Sequence, residues 1–206
     1  MARKRLDLVR LPVCIASFPS LAEPSAMKEG EEKKYKVRCV WDASDTAAIN
    51  AIHEQSLLAA KAEWGDDTTY SDFASPLVYG AKFNQKRLKK KAEPVEYLED
   101  KVFLDVRSKY PPGVFGRRRG PDGKPLAIPA GDIAGGDKIS VLVRFGAREI
   151  SGANKAFAQL QGVQLIEKRP GSGASVAAFF EADLDDGPEP AENYPQPIGD
   201  DDEIPF

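Results

Sequence analysis

The chain has 206 residues, of which 42% are apolar and 30% are charged, and its formal net charge at pH 7 is −3. That apolar content is enough for a packed core and excludes a fully disordered chain. No stretch approaches the roughly 18 apolar residues of a membrane-spanning helix, so we expect a cytoplasmic protein. Cys14 and Cys39 are too few for a zinc site and are expected to be buried, reduced thiols.

Charge is divided unevenly along the chain. Residues 183–206 contain nine acids and no Lys or Arg, which leaves 23 acids and 29 bases, a net of +6, for residues 1–182. A basic body joined to an acidic tail is typical of a protein that binds a polyanion. We therefore predict a folded domain over residues 1–182 and a disordered acidic tail over residues 183–206, which competes with nucleic acid for the body.

Apolar periodicity predicts the main elements. Alternation with period two predicts a strand at residues 35–41. A helix is predicted to follow, from a cap at Ser44 or Asp45 to Trp64. Residues 110–136 are rich in Pro and Gly and are predicted to form one long loop, whose length suggests a function. Further strands are predicted at residues 102–106, 138–145, 163–166 and 176–180.

Several short strands, one main helix and long loops favour a small β-barrel over a parallel sheet. We expect a mainly β protein, and the oligonucleotide-binding (OB) fold is the specific candidate. The pattern alone leaves a β-sandwich and an α+β fold open.

Two clusters of cations are interleaved with aromatic residues. Residues 86–91 hold five cations in six positions after Tyr79 and Phe83, and a second cluster lies inside the predicted loop. Single-strand binding needs this combination, because cations follow the phosphates while rings stack on the bases. Solvated charged faces and core aromatics are the alternative interpretation. The candidate DNA contacts are Lys36, Arg38, Arg107, Tyr110, Phe115, Arg117, Arg118, Arg119, Lys124 and Arg144.

Catalysis has little support in the residues present. His53 is the single histidine, so a general-base relay or a histidine-rich metal site is hard to build. Residues 120–125 lack the Ser or Thr and the spacing of a phosphate-binding loop. A metal nuclease that uses Asp66 and Asp67 is the least favoured alternative. We expect no enzyme activity, no cofactor and no bound metal.

The last seven residues form a distinct peptide in which four acids precede an apolar tip. They resemble the C-terminal tip of bacterial single-stranded-DNA-binding proteins, which ends in the same Ile-Pro-Phe. The resemblance implies a docking peptide in which Phe206 fills an apolar pocket of a partner, its carboxylate pairs with a base, and the acids steer the encounter. The predicted docking residues are Asp200, Asp201, Asp202, Glu203, Ile204, Pro205 and Phe206.

Several stretches of the body form a recognisable set, namely residues 30–41 with the following helix, 102–113, 132–145 and 154–164. Through them most of the body, residues 10–182, resembles phage-encoded single-stranded-DNA-binding proteins. The resemblance implies an OB fold, sequence-independent binding of single-stranded DNA in phage replication or recombination, and no catalysis. It also implies that the acidic end contacts a polymerase, helicase, nuclease or recombinase in the infected bacterial cell. Neither cation cluster aligns with the family pattern.

A protein-interaction adaptor is the alternative function. Its acidic tail would mimic DNA, and its basic body would bind other acidic proteins without coating single strands. A preference for RNA also stays open, because stacking on bases does not discriminate without contacts to the 2′-hydroxyl.

Overall fold

The computed structural model describes residues 6–26 and 30–169, which contain nine β-strands and two α-helices. The strands are β1 (Leu8–Arg10), β2 (Cys14–Ser25), β3 (Lys34–Asp42), β4 (Leu77–Tyr79), β5 (Lys101–Ser108), β6 (Gly113–Arg119), β7 (Pro125–Ala127), β8 (Lys138–Ile150) and β9 (Ala153–Glu167). The helices are α1 (Thr46–Trp64) and α2 (Gly80–Lys89). The predicted strand at residues 176–180 and the acidic tail lie outside the described residues.

Five of the strands close a barrel. β2 pairs with β3, β3 with β5, and β8 with both β9 and β2, all in antiparallel orientation. β5 and β9 meet in parallel orientation at Arg107 and Gln159. The closed order β2-β3-β5-β9-β8 is that of an OB fold, so the predicted fold is confirmed. β1 extends the sheet beside β8, β4 lies beside β5, and the β6–β7 hairpin follows β9.

The barrel interior is filled by one side of each strand. On β3, alternation sends Val37, Cys39 and Trp41 inward, where they pack with Ile52 of α1. Cys14 and Cys39 are both buried and free, as expected. A hydrogen bond with Cys14 and burial raise the pKa of the Cys39 thiol well above its usual range. The strand predicted at residues 35–41 is therefore confirmed, with one face in the core.

The main helix also follows the sequence prediction. α1 begins after Asp45, whose Oδ1 accepts a hydrogen bond from the backbone N–H of Ala48 at 3.0 Å. It ends at Trp64, before Gly65, whose φ of 111° lies in a region that favours glycine. In the described part of the chain, no helix is long and apolar enough to cross a membrane.

A second, smaller apolar cluster lies on the outer side of the barrel. Val40 of β3 and Phe103 of β5 point outward and pack with Leu98. The ring of Phe83 on α2 meets Phe103 edge to face, with centroids 5.3 Å apart. The segment that contains α2 therefore covers one end of the outer face of β3 and β5 and leaves the other end open.

Close backbone contact and buried hydrogen bonds fix α2 in this position. A Cβ on Gly80, the first residue of α2, would overlap the carbonyl oxygen of Leu98. Asn84 is buried, and its Nδ2 donates to the Val95 carbonyl at 3.1 Å and to Glu99 Oε2 at 2.6 Å. Its Oδ1 accepts the N–H of Val95 at 2.8 Å. These contacts hold α2 against the segment that follows it.

Several parts of the sequence prediction need correction. Strands β1, β2 and β4 were not predicted, and β9 begins at Ala153, well before the strand predicted at residues 163–166. Residues 110–136 are not one loop, because β6 and β7 form a hairpin within them and a 3-10 turn follows at Ala130–Asp132. Residues 113–115 form a strand because they pair with β9 in parallel orientation. No local sequence pattern indicates this pairing. The second helix, α2, was not predicted, because three cations in its C-terminal half and two more directly after it hide its apolar contacts.

Substitution of Gly80 by Ala should destabilise the fold by about 2–3 kcal/mol, because the new methyl group would meet backbone that cannot move aside. Urea unfolding followed by circular dichroism would measure the change. Gly131→Ala is the matched control, since a Cβ there meets no atom within 4 Å. Equal stability of the two variants would contradict the close packing of α2 against the backbone of Leu98.

Candidate nucleic-acid interface

The open end of the outer face of β3 and β5 forms the floor of a groove. Strand pairing sets Lys36 opposite Arg107 and Arg38 opposite Asp105. α2 runs along one side of this floor, so that its own cations face the same space. The groove has a volume of about 910 Å³. We call it the cationic groove, and its cations are Lys36, Arg38, Lys86, Arg87, Lys90 and Arg107.

Positive charge dominates this groove. Asp105 is the single acidic residue among those that line it in the described part of the chain. Lys36, Lys86 and Lys90 have no ion-pair partner among the described residues. Three ammonium groups are therefore available to a ligand, and a polyanion is the ligand that would neutralise them.

Arg38 binds neighbouring side chains on the floor of the groove. Its guanidinium donates two hydrogen bonds to Asp105, from Nε to Oδ1 at 2.8 Å and from a terminal nitrogen to Oδ2 at 3.1 Å. The same group lies 4.1 Å from the ring centroid of Phe103 and 5.5 Å from that of Phe83. A terminal nitrogen of Arg107 lies 3.8 Å from Asp105 Oδ2. Asp105 thus fixes Arg38 on the floor of the groove and forms a longer ion pair with Arg107.

An exposed aromatic ring stands at the end of the groove. Phe18 is 69% exposed, and its φ of 47° is uncommon for a residue other than glycine. The register between β2 and β3 shifts between Ser17 and Ser20, which marks an irregularity at this point of β2. Such irregularities redirect side chains and occur often beside functional sites. Here the irregularity leaves the Phe18 ring outside the core.

The loop between β2 and β3 is tied to the far end of β5. Glu32 forms an ion pair with Lys109 at 2.7 Å and a longer one with Lys34 at 3.3 Å. The hydrogen bond from Lys109 lowers the pKa of the Glu32 carboxyl group. This loop and the outer face of the second and third barrel strands are the parts that OB folds use to bind oligonucleotides.

The structure brings three of the ten predicted DNA contacts together. Lys36, Arg38 and Arg107 line the cationic groove. Tyr110 follows the end of β5, with its backbone N–H bonded to Ser108 Oγ at 3.1 Å, and its side chain is 73% exposed. Tyr110 therefore lies on the chain three residues beyond the groove-lining Arg107.

The other predicted contacts lie elsewhere. Arg117, Arg118, Arg119 and Lys124 belong to the β6–β7 hairpin and its turn, and β9 separates that hairpin from β5 in the sheet. Arg119 donates to the Gly123 carbonyl at 2.8 Å, which closes the hairpin. The structure does not place these four cations among the residues that line the cationic groove.

Two more predicted contacts have local partners. Phe115 borders a separate cavity of about 180 Å³, which Arg10 also lines. Arg144 lies on β8, and its Nε donates to the carbonyl of Leu6 at 3.1 Å. Both residues are thus away from the cationic groove, and their contact with DNA stays a prediction.

Sequence reasoning did not select four residues of the groove, Phe18, Lys86, Arg87 and Lys90. The cluster at residues 86–91 was noted, but its cations could not be assigned to a face without the helix. Helical spacing of Phe83, Arg87 and Lys90 is the signal that would have separated groove-facing cations from the others. Phe18 has no such signal, because its exposure results from an irregular backbone.

The remaining expectations concern metals, His53 and the tail. The described residues contain no group of three or more His, Cys, Asp or Glu side chains that could hold a metal ion. His53 is half-buried on α1, with its ring centroid 6.0 Å from that of Tyr70. The predicted docking residues 200–206 lie outside the described part of the chain.

Comparisons with known proteins give one family model and several similar solved structures. The family model described as Enterobacter phage Enc34, ssDNA-binding protein, matches residues 8–191. The structure of the single-stranded DNA-binding protein from bacteriophage Enc34 in complex with ssDNA is 19% identical, with a TM-score of 0.59, and the match covers 79% of this chain and 87% of that one. Another structure of that phage protein is 18% identical, with a TM-score of 0.54 and coverage of 84% and 89%. Curated protein sequences give no match.

Proposed function

The chain belongs to the family of the Enterobacter phage Enc34 ssDNA-binding protein, and we propose that it binds single-stranded DNA without sequence preference along the cationic groove. One observation supports this most: six cations and a single carboxylate line the groove between α2 and the outer face of β3 and β5. That face is the one on which OB folds bind oligonucleotides.

The groove chemistry suits a phosphate backbone. Lys36, Lys86 and Lys90 have no ion-pair partner among the described residues, so each can contact a phosphate and release its counterions. Contacts to phosphate position a strand but convey no sequence information. Arg38 is held by Asp105 and, with Arg107 beside it, forms the floor beneath the strand.

Predicted contacts that lie outside the groove would extend this surface. Tyr110 continues from β5, and Arg117, Arg118 and Lys124 are exposed on the β6–β7 hairpin. A longer strand could follow them after it leaves the groove, because cations within reach of the backbone add affinity irrespective of sequence. Their contribution would be smaller than that of the groove, where several cations surround the same space.

We further propose that the protein acts in phage DNA replication or recombination in the cytoplasm of the infected cell, without catalysing a reaction. It would coat single strands and recruit partner proteins through residues 200–206. The acidic and apolar sequence of that peptide supports docking to a basic, apolar pocket. The acidic tail would compete with DNA for the cationic groove at low salt.

Replacing both Lys86 and Lys90 by Ala should lower the salt dependence of oligo(dT) binding. The slope of log affinity against log salt should decrease by about 1.4, because each phosphate contact on a single strand contributes about 0.7. Fluorescence anisotropy with a labelled oligo(dT) at several salt concentrations would measure it.

Lys89→Ala with Lys91→Ala provides the matched control. These lysines belong to the same run and change the net charge equally, but they do not line the groove. The control should keep the wild-type slope. Equal slopes for the two double variants would show that general charge, and not the groove, determines binding.

Deletion of residues 204–206 should abolish recruitment of replication or recombination proteins while oligo(dT) binding persists or tightens. The apolar tip would be needed for docking, whereas the groove lies in the body of the protein. Affinity purification from infected cells, with anisotropy in parallel, would separate the two activities. Loss of both would contradict the division into a binding body and a docking tail.

A further inference from the structure

A second concavity adjoins the cationic groove and shares Phe18 with it. It crosses the outer side of β2 toward β8 and has a volume of about 920 Å³. We call it the apolar cleft. Its apolar and aromatic lining includes Val13, Ile15, Phe18, Val40 and Tyr97. Because Phe18 borders both spaces, a ligand in the cationic groove can continue into the cleft.

The cleft exposes apolar groups that a folded protein usually covers. Ile15 on β2 and Val13 just before it are large, exposed apolar side chains. Tyr97 is 50% exposed, and Phe18 is more so. An apolar surface of this kind, bordered by polar residues, marks a binding site for an apolar partner.

Charge distinguishes the cleft from the cationic groove. At its rim, Lys101 binds Asp42 at 2.6 Å and Asp100 at 3.0 Å, and Lys138 binds Glu167 at 2.7 Å. These two ammonium groups are already paired with carboxylates, unlike the lysines of the groove, and Arg169 is the third cation of the described lining. The cleft therefore favours an uncharged occupant, and phosphates should stay in the groove.

Tyr97 is held in place, and Phe18 is directed outward, before any ligand arrives. The Tyr97 hydroxyl lies 3.0 Å from Ser17 Oγ, within hydrogen-bond distance. The 3-10 turn that contains Tyr97 is anchored by Leu98, which is fully buried. The irregular backbone of β2 directs Phe18 outward. Ordered rings lose little conformational entropy when they stack on a ligand.

We propose that the apolar cleft receives unpaired bases of the DNA strand whose phosphates occupy the cationic groove, with Phe18 and Tyr97 as stacking residues. The inference depends on the proposed function. It orients the strand, with the phosphates toward α2 and the bases toward β2. It also accounts for a preference for single strands, because a duplex hides the faces of its bases.

Two ligands of equal length and charge test this inference on the full-length chain. One is a labelled oligo(dT), and the other is an abasic oligonucleotide with the same phosphates. Tyr97→Ala should weaken oligo(dT) binding about tenfold, the loss expected of one stacked base, and leave the salt slope unchanged. Abasic binding should not change, because the variant alters no cation.

Tyr70→Ala is the matched control, because Tyr70 is similarly exposed, at 51%, and lines neither space. It should bind both ligands like the wild type. If Tyr97→Ala binds oligo(dT) within twofold of the wild type, or loses affinity equally for both ligands, the inference is wrong. Such a result would make a protein partner the better occupant of the cleft. If the wild type binds neither ligand at low salt, the proposed function itself fails.

Photo-crosslinking gives a readout that does not depend on a variant's stability. Wild-type protein is irradiated with an oligonucleotide that carries 5-iododeoxyuridine, and the crosslinked peptides are identified by mass spectrometry. Crosslinks at Phe18 or Tyr97 are expected, since stacked aromatic side chains lie against the base. Crosslinks found only at other positions would overturn the inference.

Discussion

The two-residue period of β3 and β5 determines where charge and apolar side chains lie on the barrel. Val37, Cys39 and Trp41 enter the core because they share one face of β3, and the same period places Lys36 and Arg38 outside. The antiparallel register then sets these cations opposite β5. A slip of one residue would bury the cations and expose the core, so packing of the interior also fixes the position of the groove floor.

The position of α2 determines which part of the outer face of β3 and β5 is exposed. One end packs under α2 through Phe103 and Phe83, while the other end stays open. Gly80 and Asn84 hold α2 close enough that its cations form a wall beside the floor. Arg38 joins both parts, since it binds Asp105 and stacks on the two rings of the apolar cluster. Stability and charge placement therefore depend on the same side chains.

Local sequence patterns predicted the elements that are determined by interactions between residues close in the chain. The strand at residues 35–41 and the capped helix that ends at Trp64 have clear periods, and both were predicted close to their observed bounds. Residues 113–115 have no such period, because their partner is β9 in parallel orientation. Within the site, Lys36 could be chosen by alternation, whereas the exposure of Phe18 comes from an irregular backbone that the sequence does not indicate.

Two adjoining spaces with different chemistry follow from this arrangement, one with unpaired ammonium groups and one with exposed rings. Such a pair suits a flexible strand whose phosphates and bases can face different ways. The most direct test of the central claim is the affinity of the full-length chain for oligo(dT) and for a duplex of equal length over a range of salt concentrations. The account predicts tighter binding of the single strand at every concentration, with log affinity falling linearly as log salt rises. Equal affinity for both ligands, or no binding of the single strand, would contradict it.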